Sequence, residues 1–132
     1  MGKLKFPCLI NLSLEEIKDF SLAVSNDKGE ELIIGFDKKE NQYFINRTKS
    51  GKTYFQKEFA GKHVAPRLTD NSEMNISLLI DLSSIELFAD DGLTVMTTIF
   101  FPNKPYSKIV IQTPERTAFK KVEFISLKST KK

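Results

Sequence analysis

The chain has no tryptophan, one cysteine and one histidine among its 132 residues, and each scarcity closes off a class of chemistry. With Cys8 alone, no intrachain disulfide can form and a tetrahedral Cys-rich metal site is excluded. Cys8 itself is expected as a small buried hydrophobe. Absence of disulfides suits a cytoplasmic protein and equally suits many secreted or periplasmic bacterial ones, so composition leaves the compartment open. No apolar run reaches the length of a membrane span, and the first residues lack a signal-peptide core, so no membrane partner is expected. Charge of one sign is also scarce. The net charge is +3, and the basic residues are scattered apart from the tail Lys128, Lys131 and Lys132. Nucleic-acid binding usually needs a concentrated basic stripe, often interleaved with exposed aromatics, so no nucleic-acid partner is expected. Gly-rich phosphate loops, nucleophile elbows and the HExxH pattern are missing, and no cofactor is expected.

What the chain does have is 11 Phe and 3 Tyr beside many Ile, Leu and Thr, residue types that fit a pleated, half-buried surface. Short apolar segments recur between turn signals about every eight to twelve residues, the spacing of an antiparallel sandwich or barrel. The pattern predicts strands at Cys8–Leu12, Phe20–Ser25, Glu31–Phe36, Gln42–Arg47, Met74–Asp81, Ile85–Ala89, Thr94–Phe101, Lys108–Gln112 and Phe119–Leu127, with others between Thr53 and Leu68. Alternation is clearest in Ile76, Leu78 and Ile80 against Ser77 and Asp81, and in Ile85, Leu87 and Ala89 against Glu86 and Asp90. One face of each is core and the other wet. Turn chemistry is concentrated at Asn26-Asp27-Lys28-Gly29, Lys49-Ser50-Gly51, Asp90-Asp91-Gly92 and Pro102-Asn103-Lys104-Pro105, with Asp91-Gly92 the strongest hairpin signal. Ser13-Leu14-Glu15-Glu16 resembles a helix N-cap with a capping-box Glu, and one helical turn at most is expected there. No repeat, low-complexity tract or linker divides the chain, so residues 1–132 are read as one domain.

Candidate catalytic groups are few in the sequence. His63 has Asp70, Glu58 and several serines near it in sequence, but no nucleophile motif accompanies it and a lone loop histidine is structural in most proteins. Most glycosidases need two carboxylates flanking the scissile bond, which makes Asp81, Glu86, Asp90 and Asp91 worth weighing as a pair. Glu86 falls on the polar side of a strand, and Asp90 and Asp91 fall at a turn where Asp is favoured for backbone hydrogen bonding. The structural reading is preferred for each. Asn11-Leu12-Ser13, Asn46-Arg47-Thr48 and Asn75-Ile76-Ser77 match the N-glycosylation pattern, which is short enough to arise by chance and carries no weight.

The segment from Ser83-Ser84-Ile85-Glu86-Leu87-Phe88-Ala89-Asp90-Asp91-Gly92 through Thr97-Thr98-Ile99-Phe100-Phe101-Pro102 resembles the signature of the C-terminal β-sandwich of glycoside hydrolase family 32. That family includes invertases, levanases and inulinases. A second stretch of the same domain is resembled by Ile45-Asn46-Arg47-Thr48-Lys49-Ser50-Gly51, Phe55, Phe59 and Ala65-Pro66-Arg67, in the right order. The resemblance runs from about Leu9 to Leu127, with the first forty residues matching only in strand pattern. It departs at Asn46, where the family commonly has an acidic residue, and at Leu82, where an Arg often stands, leaving any salt bridge of those positions without its usual partners.

The resemblance implies an antiparallel two-sheet β-sandwich of the concanavalin A-like, lectin/glucanase jelly-roll type. In the family, chemistry belongs to a preceding five-bladed propeller that cleaves β-fructosidic bonds with an Asp nucleophile and a Glu acid/base. None of its motifs is present: there is no Asn-Asp-Pro-Asn-Gly block, no Arg-Asp-Pro and no Glu-Cys pair, since Cys8 follows Pro7. The implied role is therefore a non-catalytic accessory module whose partner is that propeller, with homo-oligomer contacts as a further role. The parent activity would be cleavage of levan, inulin or sucrose. Phe100, Phe101 and Tyr106 are candidates for an outer packing patch, and alternation requires one of the two Phe to point away from the core. The alternative is a carbohydrate-binding module for fructan, for which Tyr43, Tyr54 or Tyr106 would have to supply the stacking surface in the absence of Trp.

Overall fold

The computed structural model describes residues 7–47, 61–113 and 119–126, and these form ten β-strands with no helix among them. The strands are β1 (Cys8–Leu14), β2 (Phe20–Ser25), β3 (Glu31–Asp37), β4 (Gln42–Asn46) and β5 (Lys62–Pro66), followed by β6 (Met74–Ile80), β7 (Ser84–Ala89), β8 (Thr94–Ile99), β9 (Lys108–Gln112) and β10 (Phe119–Ser126). They make two antiparallel sheets of five strands. The first runs β10-β1-β6-β7-β8 and the second β5-β4-β3-β2-β9. This is the antiparallel β-sandwich expected from the apolar alternation.

The alternation that predicts the strands also builds the core. Strands β1, β2, β4 and β6 alternate strictly between buried and half-buried residues. Ile10 and Leu12 of β1 face the same interior as Ile76 and Leu78 of β6, directly across the ladder. The opposing layer is supplied by Leu22, Ile34 and Ile45 of the second sheet, each at most 1% exposed. Fully burying one such side chain contributes about 1.5–3 kcal/mol, so a core of this kind carries most of the driving force for folding. Cys8 is buried, as expected for a small hydrophobe, and burial pushes its thiol pKa up, with the Asp81 charge acting in the same direction.

Three sequence expectations need correction or trimming. Ser13 and Leu14 continue β1 instead of starting a helical turn, and Glu15 and Glu16 form only a bend. Leu14 is fully buried opposite Met74, and Ser13 Oγ donates to Asn75 Oδ1 at 2.7 Å, so the tertiary ladder overrides the local capping pattern. The eighth strand stops at Ile99, because Phe100 turns inward with its N–H on the Ser83 carbonyl (3.0 Å) and Pro102 has no N–H to continue a ladder. Arg47 lies beyond β4, and Leu127 lies outside the described residues, as does the Lys49-Ser50-Gly51 turn.

Candidate functional site

The β7–β8 hairpin turn carries the first functional arrangement. Asp90, Asp91 and Gly92 all have positive φ (55°, 60° and 87°), which Asp tolerates better than most residues and Gly tolerates freely. Gly92 N–H closes the reversal on the Ala89 carbonyl at 3.1 Å. This twist turns the Asp90 side chain inward. It is 4% exposed, which corrects the expectation that Asp90 lies on the wet face. Asp90 Oδ2 accepts a 2.6 Å hydrogen bond from Tyr43 Oη of β4 and lies 3.3 Å from Arg67 Nε, just past β5. Burial, and then the Asp90 carboxylate, push the Tyr43 hydroxyl pKa well above the ordinary tyrosine value. Arg67 spends its other nitrogens on the carbonyls of Thr69 (3.0 Å), Asn71 (2.9 Å) and Glu73 (3.2 Å), which shapes the loop into β6. Thr94 Oγ1 adds a bond to the Pro66 carbonyl at 2.9 Å. A residue of one sheet is thus held by two residues of the other in a sealed polar cluster.

The weighed carboxylates do not converge. Asp81 is exposed and accepts its neighbour Leu82 N–H (2.8 Å), while Asp91 is exposed at the turn. Asp81 and Asp90 lie at opposite ends of the six-residue strand β7, about 17 Å apart along it, well beyond the roughly 5–9.5 Å of a glycosidase pair. Glu86 sits half-buried on the outer face of the first sheet. His63 stands exposed on edge strand β5, with no side-chain hydrogen bond to Asp70 among the described residues, and Glu58 lies outside them. Among the described residues no cluster of three or more His, Cys, Asp or Glu could hold a metal ion. Two of the matched N-glycosylation asparagines are engaged in the sheet: Asn11 Nδ2 bonds Glu123 Oε1 (2.8 Å), and Asn75 Oδ1 accepts from Ser13.

The aromatic candidates separate sharply. Phe100 is fully buried and packs against Tyr106 in a tilted pair with ring centroids 5.4 Å apart, while Phe101 is 39% exposed, so the required split between the two Phe is present. Tyr43 (0% exposed) and Tyr106 (2%) are sealed in the core and cannot serve as stacking platforms, and Tyr54 lies outside the described residues. Phe101 belongs to a wider apolar edge that the sequence reading missed. Val95 and Ile99 project outward from edge strand β8, Phe88 pairs with Val95 from β7, and Leu93 is exposed in the turn. The signal was available as alternation, since Met96 and Thr98 point inward and leave Val95 and Ile99 outside.

On the outer face of the second sheet an open pocket of about 810 Å³ is lined by Asp19, Ser21, Asp37, Phe44, Gln112 and Thr113, with Phe20, Phe36 and Ile111 behind them. Gly35 makes it possible. A Cβ there would run into the Phe20 carbonyl oxygen and the Phe44 ring, so only glycine lets Phe44 settle across β3. Lys62 places its ammonium over the same ring at 4.7 Å from the centroid. Asp19 and Asp37 each give one oxygen to a backbone N–H of the β3–β4 turn, Lys38 at 2.7 Å and Glu40 at 3.3 Å.

A buried Asp90 fastened between two five-stranded antiparallel sheets, with an apolar edge on one outer face and an open pocket on the other, defines an all-β sandwich module. The chain belongs to the family described as glycosyl hydrolases family 32 C terminal, whose profile matches residues 3–128. It is similar to a sucrose-6-phosphate hydrolase of Vibrio alginolyticus, 37% identical over 95 residues that make up 71% of this chain and 18% of that protein. An extracellular exo-inulinase of Aspergillus niger is 34% identical over 84 residues, 63% of this chain and 16% of the relative. Among solved structures, sucrose-6-phosphate hydrolase from Lactobacillus gasseri superposes with a TM-score of 0.78 at 24% identity, covering 98% of this chain and 26% of the other, a likeness of fold. The match spans less than a fifth of the curated relatives' length.

Proposed function

We propose that the chain is a non-catalytic accessory β-sandwich of a β-fructosidase-type glycoside hydrolase, stabilising a separate catalytic propeller that cleaves levan, inulin or sucrose. The family match over residues 3–128 carries this reading. The exposed pair Phe88 and Val95, with Ile99 and Phe101 further along the same edge, supports it, because exposed large apolar side chains grouped on one edge mark contact surfaces. That edge is the docking face for the catalytic domain. On its own, the purified chain is expected to release no fructose from sucrose, inulin or levan. Reproducible release that a point mutation in this chain abolishes would overturn the reading.

A second reading is favoured by the pocket on the other face. A fructan-binding role needs an aromatic surface beside hydrogen-bonding groups, and Phe44 with Asp19, Asp37, Ser21 and Gln112 supplies that combination where the tyrosines do not. The two roles use opposite faces of the sandwich and are compatible in one molecule.

A further inference from the structure

We infer that the pocket on the outer face of the second sheet is a binding site for a short neutral oligosaccharide, with Phe44 as its apolar wall and Asp19, Asp37 and Gln112 as its hydroxyl-binding groups. The inference rests on the second reading above and gives it a location.

The chemistry of the lining selects the ligand class. The two carboxylates of the lining, Asp19 and Asp37, outnumber the one ammonium beside it, that of Lys62 over the Phe44 ring at 4.7 Å, which disfavours phosphates and carboxylic acids. A purely apolar ligand would leave those carboxylates desolvated, at a cost of several kcal/mol of the kind that buried charges incur. A sugar satisfies both constraints. Its C–H face packs on an aromatic ring, and its vicinal hydroxyls donate to carboxylate oxygens and to an amide carbonyl. The capacity is available here. Asp19 Oδ1 and Asp37 Oδ1 are engaged with the β3–β4 turn, and neither Oδ2 has a protein donor among the described residues. Ser21, Gln112 and Thr113 likewise make no side-chain hydrogen bond among them. Hydrogen bonds from hydroxyls to ionised carboxylates are about twice as strong as neutral ones, which suits an open site that must compete with water. The volume of about 810 Å³ falls within the roughly 300–1,000 Å³ of small-molecule sites.

The site is also preorganised. The turn bonds from Lys38 and Glu40 hold both carboxylates, and Gly35 fixes the position of the Phe44 ring. Little side-chain ordering is left to oppose binding.

The test is an amide chemical-shift titration of the full chain with inulin-type and levan-type oligosaccharides, with maltotetraose as a non-fructose control. Saturable shifts are expected at Ser21, Gly35, Phe44 and Gln112 and none at Val95 or Ile99. Phe44→Leu, which keeps apolar bulk, and Asp37→Asn, which keeps the turn acceptor, are each expected to weaken binding at least tenfold, while Val95→Thr on the opposite face leaves it unchanged. Saturable binding that Phe44→Leu and Asp37→Asn do not weaken would overturn the pocket and leave the second reading standing. Absence of binding by the unmodified chain to any of the sugars would overturn both. Saturable binding of maltotetraose alone at the same residues would support the pocket and overturn the fructan assignment.

Discussion

The two ends of the sandwich solve the same problem with similar residues in opposite surroundings. At one end Asp90, from the turn of the first sheet, is held by Tyr43 and Arg67 of the second, and all three are sealed from solvent. At the other, Asn103 and Lys104, which follow the last residues of β8, meet Asn26, Asp27 and Glu30 of the β2–β3 turn. Asn103 N–H donates to Glu30 Oε1 at 2.8 Å, Asn26 Nδ2 to the Lys104 carbonyl at 2.7 Å, and Lys104 Nζ to Asp27 at 2.7 Å. Both clusters tie a loop of one sheet to a loop of the other. They differ in water. Removing one partner of a buried pair leaves a charge without solvent, while an exposed pair simply rehydrates. The lesson is that the Asp of the family-like stretch acts as a fastener between the sheets, with its chemistry silenced by its neighbours.

The largest expected effect comes from the sealed end. Asp90→Ala strands the Arg67 guanidinium and the Tyr43 hydroxyl in the interior, and urea unfolding should show a loss of about 3–5 kcal/mol, a large share of the stability of a domain this size. Glu30→Gln should cost less, because its partners at the open end regain water. That variant also sharpens the comparison through pH. Desolvation raises the Glu30 pKa, but the Asn26 side chain, both donors of Asn103 and the Lys104 backbone outweigh it and hold the carboxyl below its ordinary value. A carboxylate with a lowered folded pKa adds stability above the ordinary carboxylate range and loses it as pH falls through the lowered value. Thermal melts of the unmodified chain should therefore weaken on acidification through that window, and those of Glu30→Gln should weaken less. Smallest of all is Lys104→Ala. Its ion pair with Asp27 is more than half exposed on both sides, and the melting temperature should not move measurably, at low or high salt.

Much of this frame is legible in the residues. Phe20–Ser25 and Lys108–Gln112 have the bounds that alternation predicts, and the other predicted strands that fall within the described residues shift by one or two residues at an end. That accuracy follows from period-two patterning, which a buried sheet face enforces locally. Asp90 was misplaced for an instructive reason. An Asp-Asp-Gly turn already explains its own aspartates through local backbone needs, so nothing in sequence signals that one of them is swallowed by the opposite sheet. Tyr43 looks like an exposed stacking residue only while its strand parity is ignored, since it alternates with Ile45 on the inner face, whereas Tyr106 lies in the loop before β9, where no alternation signals its burial. The pocket was not legible at all. It collects Asp19, Asp37 and Gln112 from the ends or margins of β2, β3 and β9 and Phe44 from the middle of β4, and the one local hint was Gly35 interrupting β3 beside an outward Phe44.

The fastener role of Asp90 is tested most directly by a double-mutant cycle. Tyr43→Phe and Asp90→Asn, singly and together, are compared by equilibrium unfolding with the same cycle on Asp27→Asn and Lys104→Met. A coupling of at least about 1 kcal/mol is predicted between Tyr43 and Asp90, and simple additivity between Asp27 and Lys104. Additivity at Tyr43 and Asp90, or equal coupling at the two ends, would contradict it.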